Sequence, residues 1–224
     1  VMVLLPGGTF GMGGRDSEAG SDADERPRHE VTLDAFLVAK HEVTQREWER
    51  VMAVNPSRLR GPDLPLENAS WKGCKKYCES VRPRLSLPTE AQWEYACRAG
   101  TETPYSCGVS IDRGKATSRG EASRGGRRAG GSTRPVGSFP ANDFGLHDMH
   151  GNVWEWCADV YVQNFYRRPA ATRRNPQCTA GSAFRIFRGG AWHNGAAGCR
   201  AAVRSGGEPD YRNGGLGFRP VYVP

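Results

Sequence analysis

The chain has 224 residues, is 38% hydrophobic, and carries 31 Lys and Arg against 24 Asp and Glu, for a formal net charge of +7. That length suits one globular domain over 1–224. No apolar run nears the roughly 20 residues that span a bilayer, and 29 Gly with 15 Pro argue for many turns and irregular connections.

"VMVLLPGGTFGMGG" (1–14) predicts a strand, a Pro-Gly-Gly turn and a second short strand. Its apolar start lacks a basic segment, so it reads as a strand and not as a signal peptide. Residues 15–28, with "DSEAGSDADE" at 16–25, predict a polar, acidic loop. "HEVTLDAFLVAKHEVT" (29–44) alternates well enough for strands. Thr44 with Glu47 forms a capping box that opens a helix over 44–53, with Trp48, Val51 and Met52 as its apolar stripe. After a Pro- and Gly-containing loop (55–65), a second helix begins at Ser70 and lines up Trp71, Cys74, Cys78 and Val81 on one side. Thr89 with Gln92 is a further capping box, and Gly100 is the expected stop. Residues 101–135 show no sustained period and read as an irregular, basic insertion. From 136 onward short strands are expected in "VGSF", "GNVWEWCADVY", "FRIFRGGAW", "CRAAVR" and "LGFRPVYV". Helices followed by a separate set of strands argue for an α+β fold, not a doubly wound parallel sheet.

The basic runs at 124–128, 167–168 and 173–174 would attract anions. Nucleic acid is the lesser reading, because no aromatic residues interleave with the central run as a base-stacking groove requires; arginine-rich loops that keep the protein soluble explain the charge more simply. Seven cysteines are an odd number and show no zinc spacing, which favours reduced, buried thiols. "GGRRAGG" (125–131) lacks the strand and helix of a phosphate-binding loop, and no Ser–His–Asp signature is present.

Several stretches together carry a resemblance. "PGGTFGMGG", "KHEVTQREWERVM", "LPLENASW", "LSLPTEAQWEYACRAG", "PVGSFPANDFGLHDMHGNVWEWCADVY", "FRIFRGGAW" and "GLGFRPV" occur in this order and span nearly the whole chain. The sequence resembles the formylglycine-generating enzyme (sulfatase-modifying factor) domain family. That resemblance implies an elaborated C-type-lectin-like fold with small antiparallel sheets, two main helices and much irregular chain. The family includes copper-dependent oxidases that turn a cysteine into formylglycine, and the catalytic half of iron-dependent sulfoxide synthases. It also includes non-enzymatic binding proteins, among them the variable proteins of diversity-generating retroelements. Fold alone therefore does not decide function.

The resemblance places the oxidase's two copper-binding cysteines at Asn194 and Cys199. Copper(I) favours soft thiolates, and an amide oxygen at Asn194 cannot replace one, so no copper is expected. The three-His iron site of the synthases has no counterpart among His29, His41, His147, His150 and His193. A structural calcium is implied at "GNVWEW", with Asp148 and Glu155 as side-chain ligands and Gly151 and Val153 through their carbonyls. The alternative is that Asp148 and Glu155 pair with nearby arginines. Strand alternation would turn Val153 and Glu155 one way and Trp154 and Trp156 the other, into the core. The family's other calcium site reads Thr117 where Asn is expected, and is taken as lost.

Residues 188–219 separate into a frame and a filling. Arg188, Gly189, Gly190, Trp192, Cys199, Arg200, Arg204, Pro209, Arg212, Gly217, Phe218 and Arg219 fit the family frame. Between them stand His193, Asn194, Gly195, Ala196, Gly198, Val203, Ser205, Gly206, Gly207, Glu208, Tyr211, Gly214 and Gly215. With Trp192 they form the expected ligand-binding surface, since small residues, Tyr and His suit adaptable contacts. Glu208 is a misfit to the retroelement pattern, because changing an adenine in an Asn codon does not readily yield Glu. "EPD" (208–210) resembles a sugar-binding tripeptide only loosely. The expectation is a non-enzymatic binding protein whose partner is a protein; the alternative is a metal-dependent oxidase or an accessory of one.

Overall fold

The computed structural model describes residues 1–112 and 132–224. The central part of the predicted insertion, with "RGGRR", "GGRRAGG" and Thr117, lies outside the described residues.

The N-terminal stretch forms β1 (Met2–Leu5) and β2 (Gly8–Met12), as the Pro-Gly-Gly turn predicts. They do not pair with each other. β1 pairs antiparallel with β4 (Phe36–Ala39), placing Val3 opposite Val38, while β2 pairs with β3 (His29–Leu33), placing Phe10 opposite Val31. Gly7, at φ +66°, makes the turn, and a Cβ there would lie 2.6 Å from the Leu33 carbonyl oxygen.

Among the described residues, all three α-helix starts are set by local chemistry. Thr44 accepts from the Glu47 amide while Glu47 accepts from the Thr44 amide, opening α1 (Gln45–Glu49). Ser70 caps α2 (Trp71–Ser80), and Thr89 with Gln92 caps α3 (Glu90–Arg98). α1 is shorter than predicted, because the chain leaves the helix at Arg50. α3 stops as the sequence suggests, with Ala99 at φ +46° and Gly100 at φ +85° both left-handed.

The C-terminal sheet has the order β7-β6-β5-β8. β5 (Trp154–Val160) is central, antiparallel to β6 (Arg185–Arg188) and parallel to β8 (Leu216–Gly217). β7 (Arg204–Gly207) is an edge strand, and β9 (Val221–Tyr222) joins β4 in the other sheet. Two predicted strands are corrected. "VGSF" stays irregular, since Gly137 turns at φ +75°. "CRAAVR" is a 3-10 turn over Ala196–Cys199 followed by bends, and extended pairing begins only at Arg204.

Two apolar clusters flank β5. One gathers Leu5, Val31, Phe36, Trp93, Leu146 and Ile186 around α3. The other packs Trp48, Leu66, Cys74, Trp156 and Phe218 against α1 and α2. Trp48 stacks on Tyr77 at 5.5 Å, with Phe218 edge-on to both. Covering both faces of β5 changes the expected alternation: Trp156 and Glu155 are both buried, at 0% and 1% exposure, while Trp154 is half-buried. No helix among the described residues is long and apolar enough to cross a membrane.

Candidate functional site

The frame of 188–219 is held by buried charge. Arg188, fully buried on β6, donates to Glu90 and Glu94, one turn apart on α3, and to the Ala201 carbonyl at 2.7 Å. Arg204 makes a two-pronged pair with Glu90 at 2.6 and 2.9 Å. Arg98 holds the other oxygen of Glu94 at 2.8 Å. Burial pushes the pKa values of Glu90 and Glu94 upward, but the facing arginines outweigh it and hold both below the ordinary carboxylate range. Arg200 reaches back to the N-terminal loop, where Glu25 accepts through both oxygens at 2.8 Å and Glu18 adds a third contact. The predicted solvent loop is therefore partly a clamp: Glu25 is 0% exposed, and Asp24 accepts from the Tyr161 hydroxyl. A carboxylate this buried survives only because its charge is matched.

The filling residues lie mainly at the surface. Glu208, Gly195 and Tyr211 are exposed; His193, Asn194, Ala196, Gly198, Val203, Ser205, Gly206, Gly207 and Gly214 are half-buried, as is Trp192. Gly215 departs from the expectation. It is buried, and a Cβ there would meet the His193 ring at 2.6 Å and Ala191 at 3.0 Å. These residues fall into two groups at opposite edges of the sheet. Near β8, Trp192 donates to the Gly214 carbonyl at 3.1 Å and stands edge-on to His193. At the β7 edge, Gly206 lies against Tyr161, and Gly207 lies under the Tyr211 ring. Beneath Gly214 sits Glu67, fully buried, with Oε1 accepting from the Leu59 amide and Oε2 unbonded. Asp210 of the "EPD" tripeptide turns to Lys72 on α2, at 2.7 Å.

Asn194 and Cys199 have distinct local roles. The Asn194 side-chain oxygen accepts from the Ala191 amide at 2.9 Å and closes the turn after "RGGAW". Cys199 is fully buried, and burial pushes its thiol up to about 12, so it stays protonated at neutral pH. Its carbonyl accepts from His150 Nδ1 at 2.9 Å, and His150 Nε2 accepts from the Ser106 amide at 3.0 Å. Those contacts assign the Nδ1–H tautomer. Burial pushes the His150 pKa down to about 4, and the ring ties the 105–106 segment to the 199 turn as a neutral bridge. His147 bonds the Phe139 carbonyl at 2.8 Å.

At the implied calcium ligands, Glu155 accepts from Arg219 Nε and Nη2, each at 2.8 Å, and from the Trp93 indole at 2.7 Å. Asp148 accepts from the Gly137 amide at 2.6 Å. Gly151 turns at φ +119°, and Val153 is fully buried. Among the described residues no group of three or more His, Cys, Asp and Glu is arranged to hold a metal. Calcium wants about six to eight oxygens, and Glu155 is engaged by arginine, the alternative raised by the sequence. As arranged, the set does not fit the ion. The sequence reading missed Glu42. It is fully buried, with one oxygen unbonded and the other accepting from Asn152 at 3.3 Å. Burial raises its pKa well above the ordinary value, and the nearby Asp148 and Glu155 carboxylates add to the effect. Nothing in "KHEVT" beyond the neighbouring Val43 marks it as buried.

All seven cysteines are free, and six are buried. The seventh, Cys107, is exposed. In native protein Cys107 alone will react quickly with a thiol reagent, and the buried thiols will follow only on unfolding. Two fast thiols in a time-resolved labelling experiment would contradict this packing.

A family model, described as the sulfatase-modifying factor enzyme 1-like domain, matches residues 1–223. A serine/threonine-protein kinase pkn1 of Chlamydia caviae is 33% identical over 97% of this chain, which spans only 37% of that protein's length. A formylglycine-generating enzyme of Thermomonospora curvata is 27% identical, covering 100% of this chain and 93% of the enzyme. Among solved structures, Treponema denticola variable protein 1 superposes with a TM-score of 0.84 at 24% identity, covering 100% of this chain and 95% of the other. That likeness shows the shared C-type-lectin-like fold. With the family model matched from end to end and a 33% identical relative covering 97% of it, the chain belongs to the sulfatase-modifying factor enzyme 1-like domain family.

Proposed function

We propose that this chain is a non-enzymatic ligand-binding domain that presents the 192–214 surface to a protein partner, in the manner of retroelement variable proteins. The observation that carries the reading is the state of Cys199: its thiol is buried and protonated, and the side chain at 194 is an amide bonded to its own turn. A two-thiolate copper(I) site needs a second sulfur that this position does not supply. The burial of Arg188, Arg200, Arg204 and Arg219 adds support, because it fixes a rigid frame while leaving Trp192, His193, Ser205 and Tyr211 accessible.

The second reading, an oxidase of the formylglycine-generating type, is favoured by the full-length match to such an enzyme. One experiment separates the two. Protein loaded with copper(I) and given a cysteine-containing peptide is expected to consume oxygen no faster than copper(I) and peptide alone. Protein-dependent turnover with loss of the peptide thiol would establish the oxidase and end the binding reading. The retroelement relation is tested in the genome: a neighbouring reverse transcriptase and a near-copy of the 3′ coding segment differing at adenines are expected, and the absence of both removes it.

A further inference from the structure

A cavity of about 350 Å³ lies along α2, between the helix, the 84–87 segment and the Ala158 and Arg185 positions of the C-terminal sheet. Its volume falls in the range of small-molecule pockets. Neither the frame nor the 192–214 surface uses it. Trp71, Leu85 and Leu87 give it apolar walls, and the buried Cys78 thiol, pushed up to about 12 by burial, adds to them without charge.

The polar groups in the cavity are unequal in sign. Lys75, Arg84 and Arg185 face a single acid, Glu79, so three positive charges against one leave a net charge of +2. Glu79 is shared: Arg84 Nη2 lies 2.9 Å from its Oε1, and Lys75 Nζ lies 4.0 Å from the same atom. Arg185 is the fixed cation. Its guanidinium lies over the Trp71 ring at 4.1 Å, and its Nη1 donates to the Ala158 carbonyl at 2.9 Å. The Trp71 ring is itself pinned, its Nε1 donating to the Cys157 carbonyl at 2.8 Å. Arg185 Nε and Nη2 have no acceptor among the described residues. A planar guanidinium already held in place loses little freedom when it takes a carboxylate. Apolar walls beside it would be left facing water by a small hydrated anion, but would be covered by a ligand with an apolar body.

We propose that this cavity is a second binding site and that it takes a carboxylate joined to an apolar or aromatic group, the chemistry shared by a hydrophobic organic acid and a peptide C-terminus. The cavity shares no lining residue with the 192–214 surface, although Arg185 pairs with Gly207 in the β6–β7 ladder, and neither proposal depends on the other.

The test follows the Trp71 indole N–H resonance in isotope-labelled protein. Titrations use 3-phenylpropionate, N-acetyl-phenylalanine, N-acetyl-phenylalaninamide and inorganic phosphate. A saturable shift is expected with at least one of the two carboxylates, and none with the amide or with phosphate. Saturation by N-acetyl-phenylalanine alone assigns a peptide terminus; saturation by 3-phenylpropionate as well assigns an organic acid. Arg185→Lys is expected to weaken binding roughly tenfold, and Glu79→Gln, which frees Arg84, to tighten it. The proposal is overturned if neither carboxylate shifts the resonance, if the amide or phosphate shifts it equally, or if Glu79→Gln leaves the affinity of the carboxylates unchanged.

Discussion

Replacing Arg188 by methionine will lower the unfolding free energy by about 3–5 kcal/mol, the range found when one partner of a buried ion pair is removed. Methionine has similar length and fills the channel, so little of the loss comes from an empty cavity. The loss comes from Glu90 and Glu94, which each keep one arginine, Arg204 and Arg98, but lose the cation between them. The Ala201 carbonyl loses its donor as well. By contrast, Lys72→Ala removes an exposed pair with Asp210 and should leave the urea midpoint almost unmoved.

The pH dependence gives this prediction a sign. In the native protein the facing arginines hold both glutamates below the ordinary carboxylate range. A depressed carboxylate contributes stability that is present above its unfolded pKa and is lost as pH falls through the folded one. Without Arg188 the upward push of burial is less opposed, so the carboxylates titrate higher in the variant. The deficit of Arg188→Met is therefore largest near neutral pH and narrows as the solution is acidified below the ordinary glutamate range. Urea midpoints of both proteins at neutral and acid pH would show it. A gap that does not change with pH would mean that the arginine acts through packing and not through its charge.

What could be read from the sequence, and what could not, divides by range. The capping boxes at Thr44 and Thr89 and the stop near Gly100 are settled within four residues, and the chain folds there as its local pattern demands. The two main helices, most of the strands and the α+β class follow from periodicity and turn residues, and the ordered motifs identify the family; which strands pair does not, since β1 turns to β4 and β2 to β3. The burial of acids is another matter. Glu25 reads as one charge in an acidic loop until Arg200, 175 residues away, is brought against it. Nothing local to Glu90 and Glu94 marks them as buried, yet α3 is covered on nearly all sides and its acids meet Arg188 of β6 and Arg204 of β7. Glu155 reads as a calcium ligand because the resemblance supplies the ion, and strand alternation cannot reveal that Arg219 occupies it. The candidate surface was legible as a list of small and polar residues between frame positions. Its division between the β7 and β8 edges of the sheet was not, since strand order depends on pairing across the whole chain.

The second large effect is expected at Gly190. Gly190→Ala will destabilise the fold by about 2–5 kcal/mol, combining left-handed strain with overpacking. Its φ is +76°, and a Cβ there would lie 2.5 Å from the Cys199 sulfur, 2.7 Å from the Gly198 carbonyl oxygen and 3.0 Å from the Cys199 Cα. Two of those three atoms are backbone and have nowhere to retreat, because the His150 ring holds the Cys199 carbonyl from the other side. The glycine thus lets the chain after β6 close onto the 196–199 turn, seating the lone thiol beneath the surface residues Asn194 and Gly198. A double variant separates the contributions. Cys199→Ala removes the sulfur but not the backbone clash, so Gly190→Ala/Cys199→Ala should regain only part of the stability lost by Gly190→Ala, measured against Cys199→Ala alone. Full recovery would place all of the strain on the sulfur and show that the turn itself is free to move. A residual loss larger than the roughly 1–3 kcal/mol of left-handed strain at residue 190 means that the backbone of this turn is fixed, which is what a surface that presents side chains to a partner requires of its scaffold.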